Sequence, residues 1–138
     1  MIEIFVTGCT CYIGSHTCVE LLESGCEVVG LDNFSNSKPE VLDKIKTITG
    51  KEIKFYEGNL LDRVLLDKIF KENEIEGVID FAAFKSVGDS VNIPIEYYTN
   101  NVSCVLTLLS VMKNHCVKTI VFSSSATVYG DVKEMPIT

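Results

Sequence analysis

Apolar runs and helical patterns alternate along this 138-residue chain from one end to the other, and no other feature constrains its fold as much. Residues 2–6 are a short apolar run suited to a buried strand. Residues 12–23 follow with helical periodicity, placing Ile13, Thr17 and Leu21 on one face, and Ser24-Gly25 ends them. The cycle then repeats. Strands are expected at 27–31, 53–57, 78–82 and 117–122. Helices are expected at 39–48, with Pro39 in the first turn, and at 62–71, with Leu65, Ile69 and Phe70 inward. A long helix at 94–114 carries Tyr98, Val102, Val105, Leu109 and Met112 at helical spacing. Polar loops fill 32–37 and 83–92, and 123–138 shows no regular pattern. Units of this kind in series imply a parallel sheet with helices on both faces, because right-handed crossovers lay each helix back on the sheet. The expected fold class is therefore α/β, a doubly wound parallel sheet of the Rossmann type that stops after its fifth strand. Such sheets bind ligands beyond the carboxyl ends of their strands. The loops rich in glycine, serine and asparagine all follow strands, so one rim is expected to carry the chemistry.

The length suits one domain with a core of its own, at 46% hydrophobic and 22% charged residues. A formal net charge of -7 disfavours nucleic acid and anionic membranes as partners, since neither attracts an acidic surface. The first residues, Met1-Ile2-Glu3-Ile4, lack a basic segment and a long apolar stretch, so neither a signal peptide nor a membrane span is expected and a cytoplasmic protein is. The six cysteines (Cys9, Cys11, Cys18, Cys26, Cys104 and Cys116) read as free, mostly buried thiols, because a core of this size needs no staples. No metal site is expected: Cys9, Cys11 and Cys18 have no second cysteine pair, and His16 and His115 are not spaced to complete one.

The first strand leads into Thr7-Gly8-Cys9-Thr10-Cys11-Tyr12-Ile13-Gly14. In a dinucleotide-binding turn the first glycine makes the bend, the middle one admits the pyrophosphate and the last lets helix pack on strand; the helix N-terminus faces the phosphates. Gly8 and Gly14 are in place, while Cys11 holds the middle position. Asp32 strengthens the signal by closing the second strand 18 residues after Gly14. A carboxylate there binds the adenosine ribose hydroxyls and repels a 2′-phosphate, favouring NAD over NADP. Asp80, inside the fourth strand, needs a partner that the sequence does not name.

Several stretches together resemble one family. "VTGCTCYIGSHTCVELL", "LDNFSNS", "FAAFKSVGDSV", "PIEYYTNNV" and "FSSSATVYGD" are similar to the N-terminal part of the UDP-glucose (UDP-galactose) 4-epimerases, which are extended short-chain dehydrogenase/reductases. The resemblance spans essentially the whole chain. It implies an isomerase of galactose metabolism that interconverts UDP-glucose and UDP-galactose by transient oxidation at sugar C4, with NAD regenerated in place. By position, Gly8, Cys11, Tyr12, Ile13 and Gly14 would line the pyrophosphate. Asp32, Asn33, Asn36 and Ser37 would bind the adenosine side, and Asn59 and Leu60 would flank adenine. Phe81, Ala82, Ala83 and Lys85 would lie along the nicotinamide half, with Asn100 nearby and Ser123 and Ser124 beside the nicotinamide. Ser125 matches the family's catalytic serine, which hydrogen-bonds the sugar 4-oxygen. Paired helices like 94–114 imply a homodimer of the complete protein.

The chain departs from the family pattern at Cys11, which stands for a glycine. Asn59 stands for an aspartate that meets the adenine amino group, and its carbonyl is expected to accept the same bond. Asp80 stands where several relatives carry histidine. The chain also stops at Thr138, before the family's base, a tyrosine in a Y-x-x-x-K helix, and before the C-terminal nucleotide-sugar domain. Tyr129 and Lys133 have that spacing, but Gly130-Asp131 between them is turn chemistry rather than helix. Residues 1–138 are thus expected to be the NAD-binding part of a longer enzyme, inactive alone. Cys11 is expected to weaken NAD binding tenfold to a thousandfold, the effect of about 1.4 to 4 kcal/mol, with added strain if its backbone needs positive φ. The alternatives are another nucleotide-sugar enzyme of the superfamily, such as a 4,6-dehydratase, and an inactive dinucleotide-binding module.

Overall fold

The computed structural model describes residues 1–83, 91–124, 130–131 and 133–136. Five strands form one parallel sheet: β1 (Glu3–Thr7), β2 (Glu27–Asp32), β3 (Lys54–Glu57), β4 (Gly77–Asp80) and β5 (Ile120–Phe122). Their order is β3-β2-β1-β4-β5. Three helices connect them in sequence: α1 (Tyr12–Glu23), α2 (Glu40–Thr49) and α3 (Arg63–Glu72). A fourth helical segment, before β5, consists of α4 (Pro94–Tyr98), a π-helical turn (Thr99–Ser103) and α5 (Cys104–Asn114). The doubly wound parallel sheet expected from the alternation is the observed one. The chain crosses to the other side of β1 between β3 and β4, which makes the switch point where such sheets bind ligands.

Residue alternation along the strands divides the core in two. Phe5, Val29, Leu31 and Val78 face α3 and α5, packing with Leu66, Ile69, Phe70, Leu108 and Val111. Val6 and Val28 face the other way with Cys9, Cys18, Leu22 and Ile45. Two helix faces differ from the sequence expectation. On α1 the buried residues are Gly14, Cys18 and Leu22, one position on from Ile13, Thr17 and Leu21, and Ile13 is half exposed. Small residues sit where helix meets sheet most closely, and periodicity weighted by bulk passes over them. In the fourth helical segment the core takes Cys104, Leu108, Val111 and Met112. Tyr98, Val102 and Leu109 point to solvent, so of the expected stripe only Met112 is buried outright. On α3, Leu66, Ile69 and Phe70 are buried, with Leu65 packed against them.

Asp80 receives its partners from the neighbouring strand and the turn that follows. Thr7 is its register partner on β1 and donates its hydroxyl to Asp80 Oδ1, and the Ala82 N–H lies 3.3 Å from the same oxygen. This buried carboxylate thereby fixes the ends of β1 and β4 side by side.

Candidate functional site: a cleft on the carboxyl rim

The turn after β1 builds the floor of the site. Gly8 has φ +65°, and a Cβ there would lie 3.0 Å from the Phe81 carbonyl carbon and the Ala82 nitrogen. Its N–H donates to Leu31 O at 2.9 Å, and its carbonyl accepts from Cys11 N–H at 3.1 Å. A Cβ on Gly14 would lie 2.0 Å from Gly8 O, so turn and helix touch backbone to backbone. Cys11 is the N-cap of α1, with φ -69° and ψ 168°. This is extended backbone that any L-residue adopts, so the positive-φ strain considered from the sequence is absent. The Cys11 side chain caps none of the first-turn N–H groups, and no acidic residue occupies that turn. The helix therefore presents its N-terminal donors and its dipole to the rim.

Asp32 ties the turn to β2. It is 6% exposed and accepts from Thr10 N–H at 3.1 Å on Oδ2 and from Phe34 N–H at 2.9 Å on Oδ1. Cys11 Sγ lies 3.8 Å from Oδ2. Thr10 and Ser37 join their hydroxyls at 2.6 Å, closing the turn against the loop that follows β2. Phe34 takes φ 57°, uncommon for a bulky residue, and is held there by its N–H bond to Asp32 and by its ring against Phe55 at 5.3 Å.

One cleft collects most of the residues singled out from the sequence: Gly8, Cys11, Asp32, Asn33, Asn36, Asn59, Leu60, Ala82, Ala83 and Asn100. Asn100 enters from the π-helical turn, a local widening of the kind frequent at functional sites. Tyr12 and Ser37 instead line a neighbouring groove between α1 and α2, where Tyr12 stacks edge-on against His16 at 4.9 Å. Phe81 packs into the core on the α1 side, and only its backbone abuts Gly8. Ser123 follows β5, donating its N–H to Asp80 O, and neither it nor Ser124 lines the cleft. Lys85 and Ser125 lie outside the described residues, as does Tyr129. Gly130 takes φ 63°, the backbone of a turn.

Sequence reasoning missed Leu31, Ser35, Gly58 and Cys104 among the lining residues. Cys104 carried no local signal, because it is one buried position of a helix and reaches the cleft through packing. All six cysteines are free thiols. Burial pushes the Cys18 thiol up to about 12 and Cys104 to about 11, and it raises Cys9 as well, so these three stay protonated at neutral pH. No helix among the described residues is long and apolar enough to cross a membrane.

The arrangement fits a dinucleotide. A turn that a Cβ would fill sits under an open helix N-terminus, and a buried carboxylate stands one strand away. Comparison with known proteins agrees. Residues 4–138 match the model of the NAD dependent epimerase/dehydratase family. The chain belongs to that family. It is 62% identical over 135 residues to a UDP-glucose 4-epimerase of Haemophilus influenzae, and 58% identical over 135 residues to one of Bacillus subtilis. Each alignment covers 98% of this chain and 40% of the relative. Among solved structures, the Bifidobacterium longum UDP-glucose 4-epimerase in complex with NAD+ and UDP superposes with a TM-score of 0.95 at 51% identity, over 99% of this chain and 41% of that one. The chain thus spans about 40% of the length of these epimerase/dehydratase family members.

Proposed function

We propose that these residues are the NAD-binding part of a cytoplasmic UDP-glucose 4-epimerase, with the nucleotide-sugar domain lying in the remainder of the full-length protein. The observation that carries the reading is Asp32: a buried carboxylate at the end of β2, bonded to the glycine turn through Thr10 N–H and facing the cleft. Identity to relatives named as this enzyme supports the choice within the family.

On this reading the first turn of α1 and the Gly8–Gly14 turn hold the pyrophosphate, Asp32 the adenosine ribose, and Asn59 and Leu60 the base. Ala82, Ala83 and Asn100 would border the nicotinamide half, to which the family pattern also assigns Lys85, Ser123 and Ser124. Bound NAD supplies reversible hydride acceptance from sugar C4. The chain's own residues bind and orient it: the helix dipole offsets phosphate charge, and the Asp32 charge opposes a 2′-phosphate. Ser125 would hold the sugar 4-oxygen by a hydrogen bond and help pass its proton.

NADH fluorescence titration of the chain beside Cys11→Gly tests the reading. Both should saturate, with the glycine variant up to about tenfold tighter. Cys11 narrows the cleft, and its thiol competes for Asp32 Oδ2, but its backbone adds no strain. Failure of both proteins to bind NADH would overturn the reading.

The complete protein is further proposed to be a homodimer. Ile95, Tyr98, Val102, Leu106 and Leu109 form an exposed apolar stripe along α4, the π-helical turn and α5, of a kind that marks interaction surfaces. Leu106→Glu in the full-length protein should shift sedimentation from dimer to monomer; an unchanged dimer would place the interface elsewhere.

A further inference from the structure

Gly30 leaves a notch in the sheet. In the register row Phe55–Gly30–Val6–Ile79, which faces α1 and α2, it alone carries no side chain. Its φ is not positive, so the backbone does not call for glycine there; space does. A Cβ on Gly30 would lie 2.6 Å from Cys9 Sγ, 3.0 Å from Ile53 Cγ2 and 3.2 Å from Cys9 Cβ. The side chain that fills the notch thus belongs to the residue after Gly8, in the turn that floors the cleft. Cys9 is fully buried, its N–H lies 3.5 Å from Leu31 O, and its carbonyl oxygen lies 3.9 Å from Cys18 Sγ on α1. Its two neighbours are bonded to the same strand, Gly8 N–H to Leu31 O and Thr10 N–H to Asp32 Oδ2. Three consecutive turn residues therefore run along the end of β2, and Cys9 is the one that plugs into it.

We propose that Cys9 is a positioning residue for the dinucleotide: its side chain, seated over Gly30, sets the height of the turn beneath the pyrophosphate. This rests on the reading that the cleft holds a dinucleotide. Interiors are close-packed, so a buried Sγ has no empty space to swing into, and a new rotamer would leave the 3.2 Å approach to Cys9 Cβ in place. A methyl group on Gly30 is accommodated by lifting the turn off β2. That lift draws Thr10 N–H away from Asp32 and carries Cys11, which lines the cleft, toward the ligand. Removing Sγ with the notch left open has the opposite fault, because the turn loses its plug and the lining of the void loses its contacts. The seat depends on the two side chains together, not on either alone.

NADH fluorescence titration of the parent, Gly30→Ala, Cys9→Ala and the double variant is the test. Gly30→Ala should bind NADH about tenfold more weakly than the parent, the scale of strain that one extra methyl group brings to a packed core. Cys9→Ala alone should weaken binding by about threefold. The double variant, which moves one heavy atom from turn to strand, should return to within about twofold of the parent. Cys9→Ala thus impairs the parent and repairs Gly30→Ala, a reversal of sign that general destabilisation does not produce. Val28→Ala is the control: it lies in the same core cluster, two residues further from the cleft along β2, and should lower the thermal midpoint while leaving NADH affinity as it is. Unchanged affinity in Gly30→Ala or in Cys9→Ala, or no gain when Cys9→Ala is added to Gly30→Ala, would overturn the proposal while leaving the dinucleotide reading intact. If Gly30→Ala does not fold, the double variant decides: folding and binding NADH like the parent supports the proposal, and failure to do so overturns it. A parent that does not bind NADH would overturn both.

Discussion

Gly14→Ala should abolish measurable NADH binding and lower the thermal midpoint by about 10 °C, the largest effect expected of any single methyl group added to this chain. The added Cβ would lie 2.0 Å from Gly8 O, 3.0 Å from Gly8 C and 3.3 Å from Cys9 Cα. All three are backbone atoms, so no rotamer change relieves the clash. Gly8 cannot retreat, because its N–H is bonded to Leu31 O and its α-carbon already lies against the backbone of Phe81 and Ala82. Relief requires α1 to lift off β1, carrying Cys18 and Leu22 out of the core at roughly 3 kcal/mol or more. The same movement shifts the helix N-terminus away from the cleft. Gly25→Ala is the control. Gly25 has φ +90° with open space around it, so alanine there meets backbone strain alone, about 1–2 kcal/mol, and dinucleotide affinity should not change. Thermal unfolding by circular dichroism together with NADH titration separates the two variants. A Gly14→Ala protein that melts within about 3 °C of the parent and binds NADH normally would show that turn and helix are not locked together.

The fold was legible because its signal is local and repeated. β1, β2, β4 and β5 each carry a short apolar run, β3 (Lys-Phe-Tyr-Glu) a weaker one, and the helices α1, α2 and α3 alternate with them, so element order and sheet type follow from pattern alone. Most of the candidate site was legible for the same reason: Gly8, Asp32, Asn59 and Ala82 each come just after a strand or close one, and parallel strands bring those positions to one rim. Features that depend on what lies across a gap were not legible. The choice of Gly14, Cys18 and Leu22 as the inner face of α1 is set by how closely helix approaches sheet, not by hydrophobicity. The stripe of Tyr98, Val102 and Leu109 has the period of a buried face yet points outward, because apolar periodicity does not say what a face meets. The bond from Thr7 to Asp80 and the approach of Cys104 Sγ to the Asn59 carbonyl join residues 73 and 45 positions apart, and no local pattern encodes such pairs.

Asp32→Asn should weaken NAD binding by about a hundredfold while narrowing or erasing the preference for NAD over NADP. A carboxylate offers about four lone-pair positions. Thr10 N–H and Cys11 Sγ approach Oδ2, and Phe34 N–H takes one position on Oδ1. What remains faces a cleft expected to hold the ribose, and it can accept from a hydroxyl with the strength of a charged acceptor, about 1.5–3 kcal/mol per bond. Asparagine keeps a single acceptor oxygen, and either Thr10 N–H or Phe34 N–H must then face an amide nitrogen. The variant loses the charge, the second acceptor and part of the turn's anchorage together, and two weakened bonds amount to about a hundredfold. NADP behaves differently. On the proposed reading the native carboxylate would lie beside a 2′-phosphate, and removing its charge lifts a repulsion while the hydroxyl bond is being lost, so the two effects offset. The ratio of NADPH to NADH dissociation constants is therefore the informative quantity, since general loosening of the turn moves both constants together. A ratio that stays at the parent's value in Asp32→Asn would mean that the carboxylate holds the turn and does not read the ribose.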